Sequence, residues 1–297
     1  MKYKDHEKHE EFYETPLPEN NLPHLPVEYK VSNLVLRANN RMSLEESKVF
    51  HIVLTELSKS RDNVVRIDKE VLFKKLQLTG NDRYAKYKEL FRGLQRKTTL
   101  EFYDPKRKGT YLGGVLAGTY WPERDEGGPI EISVDTLLMP YLTNLFDHYS
   151  LLYLDSILKF KSDFSLRLYL YLKSWNTDQY PKSFEQNLRW MTTKQLFQLF
   201  DLPENAYQDK AGKFMRFHFE RNTLHVAVRE IRELTEINLR VVKTKNGKYV
   251  DRYNFEWADY KDHERGEKKS SPKKAKKEDP KEPPLLDPVP GQASFDL

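Results

Sequence analysis

"LFKKLQL" (residues 72–78) and "LFQLFDL" (residues 196–202) end two short amphipathic segments in distant parts of the chain. Asp68 starts the first segment, and Thr192 with Gln195 three residues later is the capping-box pattern that starts the second. A turn and a longer basic segment with helical spacing follow each, over 83–97 and 219–234. A pair of helices that occurs twice is stronger evidence for an architecture than either copy alone.

The segments around the two copies also follow one order. The first copy is preceded by an apolar helix, "MSLEESKVFHIVLTELSKS", in which Ser43 with Glu46 is a capping box, and by a strand, "NVVRID". It is followed by the strands "TTLEFYD", "TYLGGVLAGTYW" and "PIEISVD". The second is preceded by apolar helices, "SLLYLDSILKF" and "SLRLYLYLKSW", and a short strand in "SFEQNLRWM". The strands "EINLRVVKTK" and "KYVDRYNFEW" then flank Asn246-Gly247, a two-residue hairpin signal.

This order of helix, short helix, turn, basic helix and β-hairpin is that of a winged helix-turn-helix. We therefore predict an α+β protein with two tandem winged-helix domains, at 31–147 and 148–258. Residues 1–30 are acidic and interrupted by several prolines, and we expect a disordered lead there. Residues 259–297 are charged and Pro-rich, and we expect a disordered tail.

Composition limits the classes of function. The net charge of +5 combines a basic body and a basic tail with acidic ends, which favours a polyanion such as nucleic acid as partner. The chain has no cysteine, which excludes disulfides and thiol chemistry. The first residues are not a secretory signal and no apolar run is long enough for a membrane span, so we expect a cytoplasmic protein without a membrane partner.

The outward faces of the two basic helices are the candidate duplex-binding surfaces. B-form DNA accepts one helix in its major groove, where arginine reads guanine and asparagine reads adenine. The first helix, richer in lysine, suits phosphate contact, and the second suits base readout. The apolar strands of the first domain could serve DNA binding or dimerisation. A solvated amphipathic helix is the alternative for either face. The candidate residues are Lys86, Lys88, Arg92 and Arg96 in the first helix and Arg216, His218, Arg221, Asn222, His225, Arg229 and Arg232 in the second.

Two basic turns are candidate wing tips that neutralise phosphates and make affinity fall with salt. Hairpins made basic for solubility are the alternative. The residues are Lys106, Arg107 and Lys108 in "DPKRKG" and Lys243, Lys245 and Lys248 in "KTKNGK".

The chain resembles the iteron-binding plasmid replication initiators, the twin winged-helix Rep proteins, over about residues 30–258. The resemblance rests on an "S-x-R-L-Y-x-x-L" helix at residues 165–172 and an "F-x-x-x-[VT]-L-x-x-A-x-x-E-I" helix at 219–231. It implies monomers bound to repeated origin DNA, dimers that repress the initiator's own promoter, and recruitment of the host replicative helicase and initiator in a bacterial cytoplasm. Glu220 and Asn222 depart from the family, whose members often carry basic residues there.

Catalytic signatures are missing from the sequence. No H-x-H pair of a rolling-circle nickase and no G-x-x-x-x-G-K-[ST] phosphate loop occurs, and "HEKHE" (residues 6–10) lacks zincin spacing. We therefore predict a binding protein with no cofactor or metal, and not an enzyme. A transcriptional repressor without an initiation role and a protein-interaction adaptor remain alternatives.

The last six residues, "QASFDL", resemble the peptide by which bacterial replication proteins dock on the sliding clamp. Gln292, Phe295 and Leu297 would carry that contact, and an inert C-terminus is the alternative. The lysine-rich "KKSSPKKAKK" before it suits a nonspecific DNA tether or charged filler.

Overall fold

The structure is a computed structural model that describes residues 9–11, 28–38, 42–60, 62–77, 80, 82–97, 99–123, 128–143, 145, 148–175, 188–246 and 249–259. In the described part, no helix is long and apolar enough to cross a membrane.

The first half contains a winged helix with additional strands. Its elements are β2 (Glu28–Ser32), α1 (Asn33–Arg37), α2 (Leu44–Leu57), β3 (Val64–Ile67), α3 (Lys69–Lys75), α4 (Arg83–Lys97), β4 (Thr99–Asp104), β5 (Gly109–Gly114), β6 (Leu116–Tyr120), β7 (Ile130–Val134) and β8 (Tyr149–Tyr153), with a 3-10 turn at Met139–Tyr141. Strands β3, β7 and β6 form one antiparallel sheet, β4 pairs with β5, and β2 pairs with β8.

Helices α5 (Leu154–Lys159) and α6 (Asp163–Ser174) lead to the second half. Its elements are β9 (Leu188–Thr192), α7 (Thr193–Leu199), α8 (Arg216–Phe219), a π-helical turn (Glu220–Leu224), α9 (His225–Leu234), β10 (Ile237–Asn246) and β11 (Tyr249–Asp259). The strand order of its antiparallel sheet is β1-β10-β11-β9, where β1 is His9–Glu11. Residues 1–30 were predicted to be a disordered lead, but the structure places β1 of this sheet within them, and β2 begins at Glu28.

The two short helices share one buried position. Leu72 in α3 and the equivalent Leu196 in α7 are both completely buried, whereas the nearly buried phenylalanine is Phe73 in the first copy and Phe200, at the position of Leu76, in the second. Thr192 accepts from the Gln195 backbone and Gln195 reaches back to Thr192, which confirms the predicted capping box. Each short helix is thus fixed at its start by side-chain capping and held in its core by leucine and phenylalanine.

Two predicted elements differ in the structure. "SLLYLDSILKF" was predicted to be one helix, but its first part is strand β8, because the alternating burial of Ser150 and Leu152 pairs this stretch with β2. "TYLGGVLAGTYW" was predicted to be one strand, but it divides into β5 and β6 next to Val115. The two strands join different sheets, and apolar periodicity alone cannot reveal that division.

Helix α6, which contains the "S-x-R-L-Y-x-x-L" pattern, joins the two halves. At its start, Glu230 of α9 accepts from the backbone N–H of Lys161 and of Ser162, both at 3.2 Å. At its end, Lys173 Nζ lies 2.7 Å from Glu236 Oε1, and both side chains are almost fully buried. A buried pair requires well-defined geometry to offset its desolvation, so these contacts fix the second half against α6.

Trp175, directly after α6, forms a second link between the halves. The Arg37 guanidinium of α1 lies 3.8 Å from the Trp175 ring centroid, and that of Arg189 in β9 lies 4.1 Å from it. Burial, together with the neighbouring positive charge of Arg189, lowers the pKa of Arg37 to about 10, against the opposing effect of Tyr171. One indole therefore contacts a cation from each half of the molecule.

Candidate nucleic-acid interface

The second basic helix is made of α8, the π-helical turn and α9, which together form the composite helix of residues 216–234. Its predicted buried stripe is confirmed, since Phe219, Thr223, Leu224, Ala227 and Ile231 are all completely buried. The Phe219 ring packs within an aromatic cluster of Phe197, Tyr207, Phe214 and Tyr253. This packing fixes which face of the helix is directed to solvent.

The opposite face carries four of the predicted DNA-binding residues in exposed positions. They are His218, Arg221, Asn222 and Arg229. Two cations, an imidazole and an amide are presented along one side of a rigid helix. This is the donor set that reads base edges in a major groove.

The other predicted positions of the composite helix are less exposed. Arg216 is half-buried and donates to the Val250 carbonyl at 3.1 Å, so it connects the helix to β11. His225 was predicted to point outward but is half-buried, and this burial lowers its pKa against the opposing effect of Glu220. Arg232 is half-exposed.

Lys243 is placed differently from the prediction. It was predicted to lie at a wing tip, but its ammonium lies 3.4 Å from Glu220 Oε2 and its side chain is only 17% exposed. Tyr253, opposite Lys243 in the β10–β11 register, donates to Glu220 Oε1 at 2.8 Å. A buried carboxylate requires a counter-charge and hydrogen bonds, and Lys243 of β10 supplies the charge. This pairing also explains the acidic departure at position 220.

The predicted second wing is present as the β10–β11 hairpin. Its register pairs Asn246 with Tyr249, so the strands meet one residue later than the Asn246-Gly247 signal predicted. Lys245 is half-exposed near the end of β10. Lys248 lies outside the described residues.

The first basic helix, α4, has a mixed surface. Lys86, Arg92 and Arg96 are exposed, as predicted. Arg92 pairs with Glu89 at 3.4 Å, and Glu89 also lines a groove between α2 and α4 together with Lys86 and Arg96. Lys88 is half-buried, with its ammonium 4.8 Å from the Tyr84 ring centroid. The acidic neighbours make this face less uniformly positive than that of the composite helix.

The "DPKRKG" turn is a basic hairpin tip but not the counterpart of the second wing. Lys106, Arg107 and Lys108 are exposed, and Asp104 accepts from the backbone N–H of Lys106 and of Arg107. However, β4 and β5 form a separate two-stranded sheet. In the second half, the strand before the short helix, β9, pairs with the second strand of the wing, β11. In the first half, the corresponding strand, β3, pairs with β7, which forms a hairpin with β6. The first wing is therefore the β6–β7 hairpin, and "DPKRKG" belongs to an additional hairpin.

Sequence reasoning did not single out Phe217. Its side chain is 66% exposed on the first turn of the composite helix, next to His218. Phe217 precedes Arg221 by four residues, and residues four apart share one side of a helix, so the sequence could have placed Phe217 on the same exposed side.

Other predicted sites fall outside the described part of the chain. The candidate clamp-binding residues Gln292, Phe295 and Leu297 lie there. Within the described ranges, no group of three or more histidine and acidic side chains is arranged to hold a metal ion.

The fold and the exposed basic helix define a protein with two winged-helix domains of the DNA-binding type. A family model described as the WH1 domain of initiator replication proteins matches residues 28–173, and one described as the WH2 domain of initiator Rep proteins matches 192–257. The chain belongs to this initiator replication protein family. The family resemblance drawn from the sequence is thereby confirmed, as is the prediction of two winged-helix domains.

The chain was also compared with solved structures. A crystal structure of the Pi initiator protein in complex with iteron DNA matches with a TM-score of 0.59 and 17% identity, over 80% of this chain and 99% of that one. A crystal structure of domains 2–3 of RctB matches with a TM-score of 0.45 and 12% identity, over 76% of this chain and 87% of that one. A search of curated protein sequences gave no match.

Proposed function

We propose that this protein initiates plasmid replication by binding repeated sequences, or iterons, in double-stranded origin DNA. The observation that carries the proposal is the exposed row of His218, Arg221, Asn222 and Arg229 above a completely buried apolar stripe. A helix held in this way enters the major groove as a rigid body, with its N-terminal residues reaching base edges. Membership of the initiator family supports this proposal, as does the similar fold of the Pi initiator, which was solved with iteron DNA.

We propose that the first winged-helix domain contacts the DNA backbone and forms dimers. Its helix α4 and the "DPKRKG" tip contact phosphates, because both present exposed cations. The same domain exposes Leu112 on β5 and Tyr120 on β6, 68% and 67% accessible, which suits self-association. Dimers formed there would repress the initiator's own promoter, and sedimentation velocity over a range of concentrations measures the monomer–dimer equilibrium.

Initiation also requires partners. We propose that the DNA-bound protein recruits the host replicative helicase and initiator, that the C-terminal "QASFDL" docks on the sliding clamp, and that no step is catalysed by this chain. Removal of residues 292–297 should abolish pull-down by the clamp and leave origin binding intact. Equal pull-down of the full and shortened chains would contradict the clamp contact.

The central test is footprinting of the full chain on DNA flanking its gene, with Arg229→Ala and Arg92→Ala in parallel. Arg229→Ala should reduce the preference for the repeats over random duplex, by roughly 1–3 kcal/mol if it reads a guanine. Arg92→Ala should weaken binding to all duplexes alike and lower the slope of log affinity against log salt by about one.

Arg66→Ala is the matched control for Arg92→Ala. Arg66 is also an exposed arginine paired with a glutamate, Glu131, but it lies on the β3–β7 sheet. If Arg66→Ala changes affinity as much as Arg92→Ala does, the assignment of α4 to DNA is wrong. A plasmid that carries the footprinted DNA as its origin should be maintained only when the protein is supplied. Footprints without such maintenance would indicate a repressor.

A further inference from the structure

An aromatic side chain stands exposed within the polar surface of the composite helix. Phe217 is 66% accessible, whereas Phe219, two residues later, is completely buried. A phenylalanine left in water forgoes a burial free energy of roughly 1.5–3 kcal/mol. A position of this kind in a basic recognition surface indicates that its burial occurs on binding.

The neighbours of Phe217 indicate which ligand buries it. Arg221 is four residues further along the helix, and His218 and Asn222 form a parallel pair with the same spacing, so the ring lies at the head of the exposed polar row. The first turn of a recognition helix is the part that comes nearest to base edges. A partner for Phe217 must therefore be apolar and lie among hydrogen-bonding groups that suit an arginine and an amide.

The major groove offers one prominent apolar group in such surroundings. Phosphates and deoxyribose line its walls, and the base edges are donors and acceptors, but each thymine projects a C5-methyl into the groove. We propose that Phe217 packs against the methyl group of a thymine in the recognised repeat, next to the base pairs contacted by Arg221 and Asn222. The inference rests on the proposed function, and it assigns Phe217 as a residue that determines sequence specificity.

This contact discriminates by shape and not by hydrogen bonding. Cytosine at the same place carries a hydrogen and no methyl at C5, so it leaves the ring without its apolar partner. Uracil differs from thymine only in the missing methyl, and its base pairing is unchanged. Replacement of single thymines by deoxyuridine therefore isolates the proposed contact.

The experiment uses the full chain and a duplex that the wild-type protein itself selects from a pool with a random central region. Each thymine of that duplex is replaced in turn by deoxyuridine, and affinity is measured by fluorescence anisotropy. For the wild type we expect one replacement that lowers affinity about three- to fivefold, as loss of one buried methyl should. Phe217→Ala should lose a similar factor on the thymine duplex and show no further loss at that position. Phe217→Leu, which remains apolar, should retain sensitivity to the methyl.

Leu137→Ala is the matched control, since Leu137 is 60% exposed in the first half of the chain. It should keep the wild-type pattern of deoxyuridine effects. If wild type and Phe217→Ala lose equal factors at every position, or if no replacement matters, Phe217 does not contact a thymine methyl. An exposed phenylalanine that docks on a protein would give that result. Failure to select any duplex would overturn the proposed function and this inference with it.

Discussion

Replacement of Glu220 by glutamine tests whether the composite helix is held by a buried charge. The carboxylate accepts from Tyr253 at 2.8 Å and lies 3.4 Å from Lys243 Nζ. Glutamine keeps the size and can still accept from Tyr253, but it removes the negative charge that lies 3.4 Å from the Lys243 ammonium. Removal of one partner from a buried pair costs about 3–5 kcal/mol. Because the Lys243 side chain keeps 17% exposure, we expect the lower end or somewhat less, about 2–3 kcal/mol.

Urea denaturation of the full chain, followed by tryptophan fluorescence, measures this cost. Trp257, which is completely buried in the strand that carries Tyr253, adds a signal from the second domain to the combined emission of the four tryptophans. Lys243→Met alone should also destabilise, because it leaves the carboxylate unpaired. The double variant with Glu220→Gln should recover most of the loss. A Glu220→Gln variant within 0.5 kcal/mol of wild type, or a double variant that shows the sum of both losses, would refute the argument.

Two further predictions concern the first domain. His51 is completely buried beside Tyr29, and burial lowers its pKa to about 3. Since the unfolded chain takes up this proton below about pH 6.5 and the folded chain does not, stability should fall by about 1.4 kcal/mol per pH unit between pH 6 and 4. Denaturation across that range should show a shallower slope for His51→Gln, and an unchanged slope would contradict the assignment. Gly93→Ala places a methyl group on the Glu46 carboxylate that closes the α2 capping box, and it should destabilise by about 1–2 kcal/mol despite the better helix propensity of alanine. Gly118→Ala, which meets open space, is its control by thermal unfolding.

The sequence was sufficient for features that depend on local chemistry. The capping boxes at Ser43 and Thr192 appear where the pattern placed them, because the S/T-x-x-E/Q spacing satisfies two helix-end N–H groups within four residues. The buried stripe of the composite helix was also predictable. Helical periodicity separates its apolar side from its polar side whatever the neighbouring elements are.

Features that depend on distant partners were not predictable. The stretch 149–153 has the composition of an apolar helix, and only its pairing with β2, far away in the sequence, makes it a strand. The prediction of which hairpin forms the first wing was wrong for a similar reason. Two consecutive hairpins follow α4, and turn residues alone do not show which of them pairs with β3.

Several cations of the candidate surface contact other groups of the protein, and this affects the salt dependence of DNA binding. A count from the sequence treats every lysine and arginine of the candidate surface as a phosphate contact. In the structure, Lys243 neutralises Glu220, Arg216 bonds to a β11 carbonyl, and Lys88 packs over Tyr84. Because Glu220 already balances the charge of Lys243, that lysine should add little to the counterion release on binding, whereas Arg216 and Lys88 keep their charge. The salt dependence of affinity should therefore be less steep than the sequence count suggests, and sequence preference should depend mainly on Arg221, Asn222 and Arg229, which the fold leaves exposed.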